Sequence, residues 1–328
     1  TEDYVLTVDS NGEASWEAAS AAGTGEQFVK LRNAGTLNNT GSNTSAGSLS
    51  GNALTTGSTE NTFYGYESGR NVTDGDHNTF LGAAVGYAVT TGSGNTAVGQ
   101  DCIRALTTGS NNTAIGKESF KGGGGCTGSN NTALGAFSYF AGTTGGANVA
   151  VGYYALAATT TGSDNTAIGS EALETSTTGS YNVAVGKRAL EKSTTASENT
   201  AVGYGALNWA TTGFGTVAIG KNAGGANTYT GGQNVLVGVS AGGSLTSGGE
   251  NVCVGYQAGY SFTTAGSSIC IGRNAGEKIT TASANIVMGW NVAETLTTGG
   301  GNTIIGYNAF IDATTATNNT AIGSVVAS

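Results

Sequence analysis

Few residues of this sequence combine the type and the spacing that chemistry requires. His77 is the single histidine, and although Asp74 and Asp76 flank it, no second histidine or cysteine lies nearby to complete a metal site. Carboxylates such as Glu118 and Glu171 are scattered, and no pair recurs in a pattern typical of glycoside hydrolysis. The sequence therefore predicts a protein that is not an enzyme, with no catalytic residues, no metal site and no cofactor.

The cysteines offer one further candidate for chemistry. Cys253 and Cys270 occupy the same place in two successive copies of a short phrase that recurs along most of the chain. A disulfide between them is conceivable, but side chains stacked in parallel strands rarely reach the dihedral angle that the bond needs. We expect both to be small apolar side chains, and we expect Cys102 to fill a small buried position.

The composition excludes several classes of partner. The chain has 328 residues, with 57 Gly, no Pro, 10% charged residues and a formal net charge of −9. This acidic balance argues against nucleic acid, which is bound by clusters of Lys and Arg. No apolar run approaches the roughly 20 residues of a membrane span, so we expect no membrane insertion.

The elements that must position any site are set by an internal repeat. A phrase of the form Asn-Thr-Ala-Ile-Gly recurs along the chain from Gly65 to Gly323. Most of the glycines that close this phrase are 17 residues apart, as are Gly65 and Gly82. Only the steps from Gly116 to Gly135 and from Gly220 to Gly238 are longer. A degenerate copy ends at Gly47. We number each repeat from its Asn, so that Gly is position 5 and a frequent Thr-Thr pair is at positions 13 and 14.

This repeat predicts an all-β fold, a parallel β-solenoid of about sixteen 17-residue coils. Positions 2 to 4 are mostly β-branched or small and precede a glycine, which is typical of a short strand and a corner. The Thr-Thr pair predicts a second strand or edge. Coils stacked about 4.8 Å apart would form a rod of roughly 75 Å.

Stacked coils also predict that the Asn side chains form a ladder along the rod, because identical side chains then lie above one another. The clearest members of this Asn ladder are Asn95, Asn112, Asn131, Asn148, Asn165, Asn182 and Asn199.

Alternation along the strand suggests a partner chain. Positions 2 and 4 share one face, which we expect to line the interior, while position 3 points the other way. Position 3 never carries a charge, which predicts that it is buried against another copy of the chain in a closed homo-oligomer. This predicted inter-chain face consists of Ala97, Ala114, Ala133, Ala150, Ala167, Ala184, Ala201, Ala218, Leu236, Cys253, Cys270, Val287 and Ile304.

The phrases "NTAIG" and "TTGS" at fixed spacing resemble the head repeats of trimeric autotransporter adhesins, and more closely the tail-fibre-like proteins of bacteriophages. The resemblance covers roughly residues 43–324. It implies a left-handed β-roll, three chains side by side in a homotrimer, and no catalytic residues. It also implies a fibre or adhesin that projects from a virion and contacts the host surface, or alternatively a head domain on a bacterial cell surface.

The chain divides into an N-terminal segment, 1–42, and a solenoid shaft, 43–328. "YVLTV", "DSNG" and "EASW" predict a β-hairpin in the first segment, and "EQFVKLRNAG" predicts a further strand. We expect residues 1–42 to attach the shaft to tail or capsid proteins of the virion, with a simple cap on the solenoid as the alternative.

Two surface features of the predicted solenoid, its exposed aromatic rings and its Thr-Thr columns, could bind an external ligand. Exposed aromatic rings could contact a host glycan, or could instead shield coil edges and fill grooves between chains. The Thr-Thr columns suggest an ice-binding solenoid, which we rank third because one Thr of each pair should point inward. The possible glycan contacts are Tyr153, Tyr204, Trp209, Tyr256 and Trp290.

Overall fold

The structure is a computed structural model that describes residues 4–8, 14–18, 43–55, 57–225, 228–310 and 314–325. The first two strands, β1 (Tyr4–Val8) and β2 (Ala14–Ala18), pair antiparallel in a hairpin, with Tyr4 opposite Ala18. The predicted hairpin is therefore confirmed. The further strand expected in "EQFVKLRNAG" lies outside the described residues.

The remaining strands are short and occur once in each repeat. They are β3 (Thr44–Ala46), β4 (Thr62–Tyr64), β5 (Thr79–Leu81), β6 (Thr96–Val98), β7 (Thr113–Ile115), β8 (Thr132–Leu134), β9 (Val149–Val151), β10 (Thr166–Ile168), β11 (Val183–Val185), β12 (Thr200–Val202), β13 (Val217–Ile219), β14 (Val235–Val237), β15 (Val252–Val254), β16 (Ile269–Ile271), β17 (Ile286–Trp290), β18 (Thr303–Tyr307) and β19 (Thr320–Ser324).

Consecutive strands pair in parallel, and equivalent residues of the repeat lie side by side. Ala167 of β10, for example, is in register with Ala150 of β9 and with Ala184 of β11. The same register continues from β3 to β19, so each repeat is one coil of a parallel β-solenoid. This confirms the predicted architecture, and no helix occurs among the residues that the structure describes.

The predicted second strand at the Thr-Thr pair is absent from the described coils, where these residues form bends. Coils are nevertheless joined there by hydrogen bonds. The Thr160 N–H donates to the Thr177 carbonyl at 2.9 Å, and the Thr160 hydroxyl donates to the same oxygen at 3.2 Å. The pair is too short and too bent for a strand, but it still forms a rung of the coil-to-coil ladder.

Glycine at position 5 is fixed by the close approach of neighbouring coils. Gly169 has φ of +134°, and a Cβ there would lie 2.6 Å from the carbonyl carbon of Gly186 in the next coil. Any side chain would therefore collide with backbone that has no room to move, and glycine also tolerates this φ without strain. The corner that follows each strand thus depends on the glycine column.

The interior of the solenoid is lined by positions 1, 3, 8, 9, 12 and 15, which corrects the predicted orientation of the strands. The strand residues at positions 2 and 4 point outward, as in β7, where Thr113 is half-buried and Ile115 is 44% exposed. The alternation was predicted correctly, but its inward and outward sides were exchanged.

The predicted inter-chain face is therefore wrong. Its thirteen members are all 0% exposed within the single chain, so a second chain is not what covers them: Ala97, Ala114, Ala133, Ala150, Ala167, Ala184, Ala201, Ala218, Leu236, Cys253, Cys270, Val287 and Ile304. Position 3 is small and never charged because the opposite wall of the same coil packs against it.

The size of the residue at position 3 is matched by that at position 9. Where position 3 is Phe63, position 9 is Gly69, and a Cβ on that glycine would lie 2.6 Å from the Phe63 ring. Where position 3 is Ala167, position 9 is Leu173, and both are fully buried. In most coils the narrow, close-packed interior therefore holds one large side chain at this point, on either wall, and the pair of Ile304 and Phe310 near the C-terminal end is an exception.

Candidate binding surfaces

The predicted Asn ladder is present as a buried, fully paired column. Asn165 Nδ2 donates to Asn148 Oδ1 at 3.1 Å and to the Gly179 carbonyl at 2.8 Å, while the Asn165 N–H donates to the same Oδ1 at 3.0 Å. Asn165 Oδ1 in turn accepts two bonds from Asn182. Because its donors and acceptor are all engaged in the interior, the ladder stabilises the rod and is not a binding site.

The ladder changes composition at Thr216 and at Ser268, which stand where the other coils have Asn. The Thr216 N–H still donates to Asn199 Oδ1 at 3.0 Å. The buried Tyr229 hydroxyl lies 2.7 Å from Thr216 Oγ1 and accepts a 2.7 Å bond from Asn234 Nδ2. Tyr229 belongs to the repeat that is one residue longer, between Gly220 and Gly238, so the insertion coincides with the side chain that completes the interrupted column.

The outward strand face, which we define as positions 2 and 4 of β3 to β19, is uncharged along its whole length and mostly apolar at position 4. Position 2 is Thr, Val or Ile in every strand, and position 4 is Ala, Tyr, Leu, Val, Ile or Met. Neither position carries a charge in any of these strands. Large apolar side chains are left open to solvent there, including Leu81 at 50%, Ile168 at 40% and Ile219 at 41% exposure.

The Thr-Thr side of the coil has a different character. Hydroxyls at position 13 are used between coils, as in Thr263, which donates to the Thr280 carbonyl at 3.1 Å. Position 14 is exposed, as in Thr161 and Thr178. Only one column of Thr side chains is therefore exposed. An ice-binding surface built on the Thr-Thr pairs would be only one Thr wide.

The remaining side of the coil, positions 6, 7, 10 and 11, holds most of the charged and aromatic side chains of the solenoid. The five residues proposed as glycan contacts all lie here and are exposed: Tyr153 at 51%, Tyr204 at 48%, Trp209 at 44%, Tyr256 at 47% and Trp290 at 37%. The structure does not gather them into one cluster. Four occupy position 6 of coils up to three repeats apart, and Trp209 is at position 11.

In the N-terminal coils, three cations on this side are paired with carboxylates, whereas the exposed Lys117 at position 6 has no ion pair among the described residues. Arg104 pairs with Asp101 at 2.8 Å and Lys121 pairs with Glu118 at 2.8 Å, in each case between positions 7 and 10 of one coil, and Arg70 pairs with Glu67 in the same way. Surface pairs of this kind contribute little stability, about 0 to 1 kcal/mol. Their main consequence is that these cations already have anionic partners.

A compact ion-pair network of Glu171, Arg188, Glu191 and Lys192 lies at the C-terminal end of these coils. Arg188 Nε lies 2.6 Å from Glu171 Oε2, and Lys192 Nζ lies 2.6 Å from Glu191 Oε1. The hydrogen bond from Arg188 lowers the pKa of Glu171, and the hydrogen bond from Lys192 to Glu191 raises the pKa of Lys192. Glu171, Arg188 and Lys192 therefore stay charged near neutral pH.

Beyond this network, positions 6 and 7 contain no carboxylate. From Lys187 to Asn308, position 6 is basic or aromatic with one exception, and position 7 is most often an amide. Within the described residues, no carboxylate lies within ion-pairing distance of Lys187, Lys221 or Arg273. The aromatic members of this column were predicted from the sequence and its cations were missed, although the repeat register places both in one column.

The buried cysteines have little reactivity. All four are free, and burial raises the pKa of the Cys102 thiol to about 12 and that of Cys126 to about 11. The hydrogen bond with Cys253, together with burial, raises the pKa of Cys270. The thiols of Cys102, Cys126 and Cys270 therefore remain protonated and apolar in character at neutral pH.

Neither a metal centre nor a membrane span is found in the part of the chain that the structure describes. No group of three His, Cys, Asp or Glu side chains is placed to hold a metal ion, and no helix is long and apolar enough to cross a membrane. His77 is an exposed residue of a bend, with Nε2 3.0 Å from Glu60 Oε2.

Comparison of the chain with family models, with curated proteins and with solved structures found no match.

Proposed function

We propose that this chain is the shaft of a structural fibre, built from copies of itself packed side by side, which projects from a virus particle and contacts a host surface without catalysis. The observation that carries this proposal is the outward strand face, an uncharged surface that follows the rod from β3 to β19, with a large apolar side chain at position 4 of nearly every strand and Thr, Val or Ile at position 2. Such a long apolar surface is uncommon on a monomer and is typical of a face that another protein covers.

The size of this face favours association. Seventeen strands stacked about 4.8 Å apart, each about 10 Å long, present roughly 800 Å². That area is about what one partner contributes to a stable interface of standard size. Burial of this face against a partner would also explain why positions 2 and 4 carry no charge, although other positions of the coil do.

A second copy of the chain is the partner whose spacing fits best. Side chains on the face recur once per coil, so only a surface with the same rise can stay in register over the full length. Cyclic symmetry would close the assembly and leave no apolar face open. Three copies is the number that the resemblance implies, and the fibre would then be a homotrimer with the strand faces directed towards its axis.

The location and the other partners follow from this role. We propose a virion surface location, with residues 1–42 attached to tail or capsid proteins and the shaft in contact with a host glycan or protein. The alternative is the head of a bacterial surface adhesin with the same architecture. Genes next to the coding sequence would separate these two settings, because fibre genes lie among those for other virion proteins.

Sedimentation equilibrium tests the association. We expect the chain to sediment at three times its 32.2 kDa mass, and Ile168→Glu with Val185→Glu to sediment as a single folded chain. Thr161→Glu with Thr178→Glu adds the same charge at exposed position 14 and should leave the assembly intact. A wild-type protein that sediments as one chain would refute self-association.

A further inference from the structure

We propose that positions 6 and 7 between residues 187 and 308, which we call the aromatic–basic stripe, bind a linear acidic polysaccharide that lies along the rod. The ligand class is a chain of sugars that carries a carboxylate or sulfate on every second or third sugar. This inference deepens the proposed host contact, and it rests on that proposal only for where the polysaccharide comes from.

The stripe is a continuous column on the surface. Its side chains at position 6, in order, are Lys187, Tyr204, Lys221, Val239, Tyr256, Arg273, Trp290 and Tyr307. Eight coils at about 4.8 Å per step extend roughly 34 Å, a shape that suits a polymer better than a compact ligand.

The cations of the stripe are free to bind an anion. Lys187, Lys221 and Arg273 are exposed, and no carboxylate of the described residues lies within ion-pairing distance of them. Arg188 is the exception, because Glu171 and Glu191 hold it. Arg273 lies over the ring of Tyr256, at 5.5 Å from its centroid, and keeps its charge without a carboxylate partner. In a chain with net charge −9, three such cations in a column without carboxylates form a locally complementary surface for negative charge.

The aromatic rings supply faces on which sugars can stack. Tyr204 is 48% exposed and lies one coil from Lys187 and one coil from Lys221, and among the described residues no other ring or cation stacks on it. The partly positive C–H groups of a sugar ring suit the negative face of an aromatic ring. Lys187, Tyr204 and Lys221 thus form a cation–ring–cation group at the N-terminal end of the stripe, with the two cations about 10 Å apart along the axis.

Amide side chains complete the stripe. Position 7 is Asn222, Gln257, Asn274, Asn291 and Asn308 in five of the eight coils. The left-handed backbone at this position suits Asn but does not require it, since Glu118 and Phe137 adopt the same conformation. Asn222 is exposed, and its amide both donates and accepts, so it can pair with sugar hydroxyls in either sense. Asn274 Nδ2 instead donates to Asn291 Oδ1 at 2.9 Å, and the Oδ1 atoms of Asn274 and Asn308 are buried.

Nucleic acid also combines negative charge with stacking, but its charges are too dense for this surface. A nucleic-acid strand carries about one phosphate per 3.4 Å, whereas the unpaired cations are two or three coils apart, about 10 to 14 Å. The spacing therefore favours an acidic polysaccharide.

Biolayer interferometry with three acidic polysaccharides that carry one anionic group per disaccharide, namely hyaluronan, unsulfated chondroitin and a monosulfated keratan sulfate, tests the inference. We expect the full chain to bind at least one of them, and to bind its carboxyl-esterified or desulfated form at least about tenfold more weakly. Tyr204→Ala, and separately Lys187→Gln with Lys221→Gln, should each weaken binding by about tenfold or more.

Matched controls come from the N-terminal coils. Tyr66→Ala removes a ring that is 55% exposed at the same repeat position, and Arg70→Gln with Arg104→Gln removes the same charge from paired cations. These variants should keep affinity within about twofold. The Lys187→Gln, Lys221→Gln variant should also reduce the salt dependence of binding by about two ions.

Three results would overturn the inference: no binding to any of the three polysaccharides, equal losses in stripe and control variants, or tighter binding to a 20-nucleotide oligo(dT). The assay is repeated on Ile168→Glu with Val185→Glu. If the wild-type protein sediments as a monomer but the polysaccharide still binds, the proposed self-association is refuted and the proposed polysaccharide site is supported. If assembly is intact and binding is absent, only the stripe fails.

Discussion

The same corner of the coil is used differently at the two ends of the rod. In the N-terminal coils, position 7 carries acids that pair with cations at position 10, as in Asp101 with Arg104. In the C-terminal coils, position 7 carries amides, and the cations of position 6 stay unpaired. The backbone does not differ, since φ is 54° at Glu118 and 55° at Asn274. The repeat therefore fixes the conformation and leaves the surface chemistry free to vary.

The first prediction, with the largest expected effect, concerns the frame that both regions share. Asn165→Leu leaves bonding groups of Asn182 and Gly179 unpaired in the interior, which should lower the free energy of unfolding by about 3 to 6 kcal/mol. Guanidinium denaturation followed by circular dichroism measures this. Thr166→Val, one residue away and pointing outward, should change it by less than about 0.5 kcal/mol. Equal effects would mean that the ladder is not what holds the coils.

A second prediction tests whether the interior is filled by exchange between its two walls. Phe63→Ala alone should cost about 3 to 5 kcal/mol, and Gly69→Leu alone should clash with the Phe63 ring. The double variant reproduces the Ala167 and Leu173 pair, so it should be more stable than the sum of the single changes by about 1 to 3 kcal/mol. Strictly additive unfolding free energies would contradict the exchange.

A third prediction converts the C-terminal corner to the N-terminal type. Asn274→Glu with Asn291→Glu places carboxylates beside Arg273, which should neutralise it and weaken binding to the acidic polysaccharide by about tenfold. Asn274→Gln with Asn291→Gln keeps amides at both positions and should leave affinity nearly unchanged. Unaltered affinity in the Glu variant would show that position 7 does not face the ligand.

The smallest effect is expected for the reverse change. Glu67→Gln with Asp101→Asn frees Arg70 and Arg104 from their partners, but these exposed pairs should contribute less than about 1 kcal/mol to the free energy of unfolding. Binding to the acidic polysaccharide should rise by less than about threefold, because both guanidinium groups still lie over the ring of Tyr87, at 5.4 and 5.5 Å from its centroid. A gain equal to the affinity of the C-terminal stripe would show that free charge alone suffices.

Much of the fold was readable from the sequence, because the regular recurrence of the Asn-to-Gly phrase locates every strand and every glycine corner of the solenoid. The Asn ladder was also readable, since a polar residue repeated in an apolar setting needs a partner like itself. What alternation alone did not decide is which side of a short strand faces inward. Ala167 flanked by Thr166 and Ile168 fits either assignment when only residue types are considered.

The deciding signal was present in the sequence as a correlation between distant positions. Large residues at position 3, such as Phe63 and Phe80, coincide with glycine at position 9, while Ala at position 3 mostly coincides with Leu or a larger residue. Only side chains that share one small space need to exchange volume in this way. The surface sites were less readable, because whether a cation such as Lys221 has an ionic partner depends on side chains of neighbouring coils.

The most direct test of the central claim, that a single chain encloses its own position 3, is thiol labelling of the folded, dissociated chain. In Ile168→Glu with Val185→Glu, none of the four cysteines should react with an aromatic disulfide reagent until the protein is unfolded, when all four should react. Rapid labelling of Cys253 and Cys270 in the folded single chain would contradict the claim, because it would place position 3 on a surface that only another chain covers.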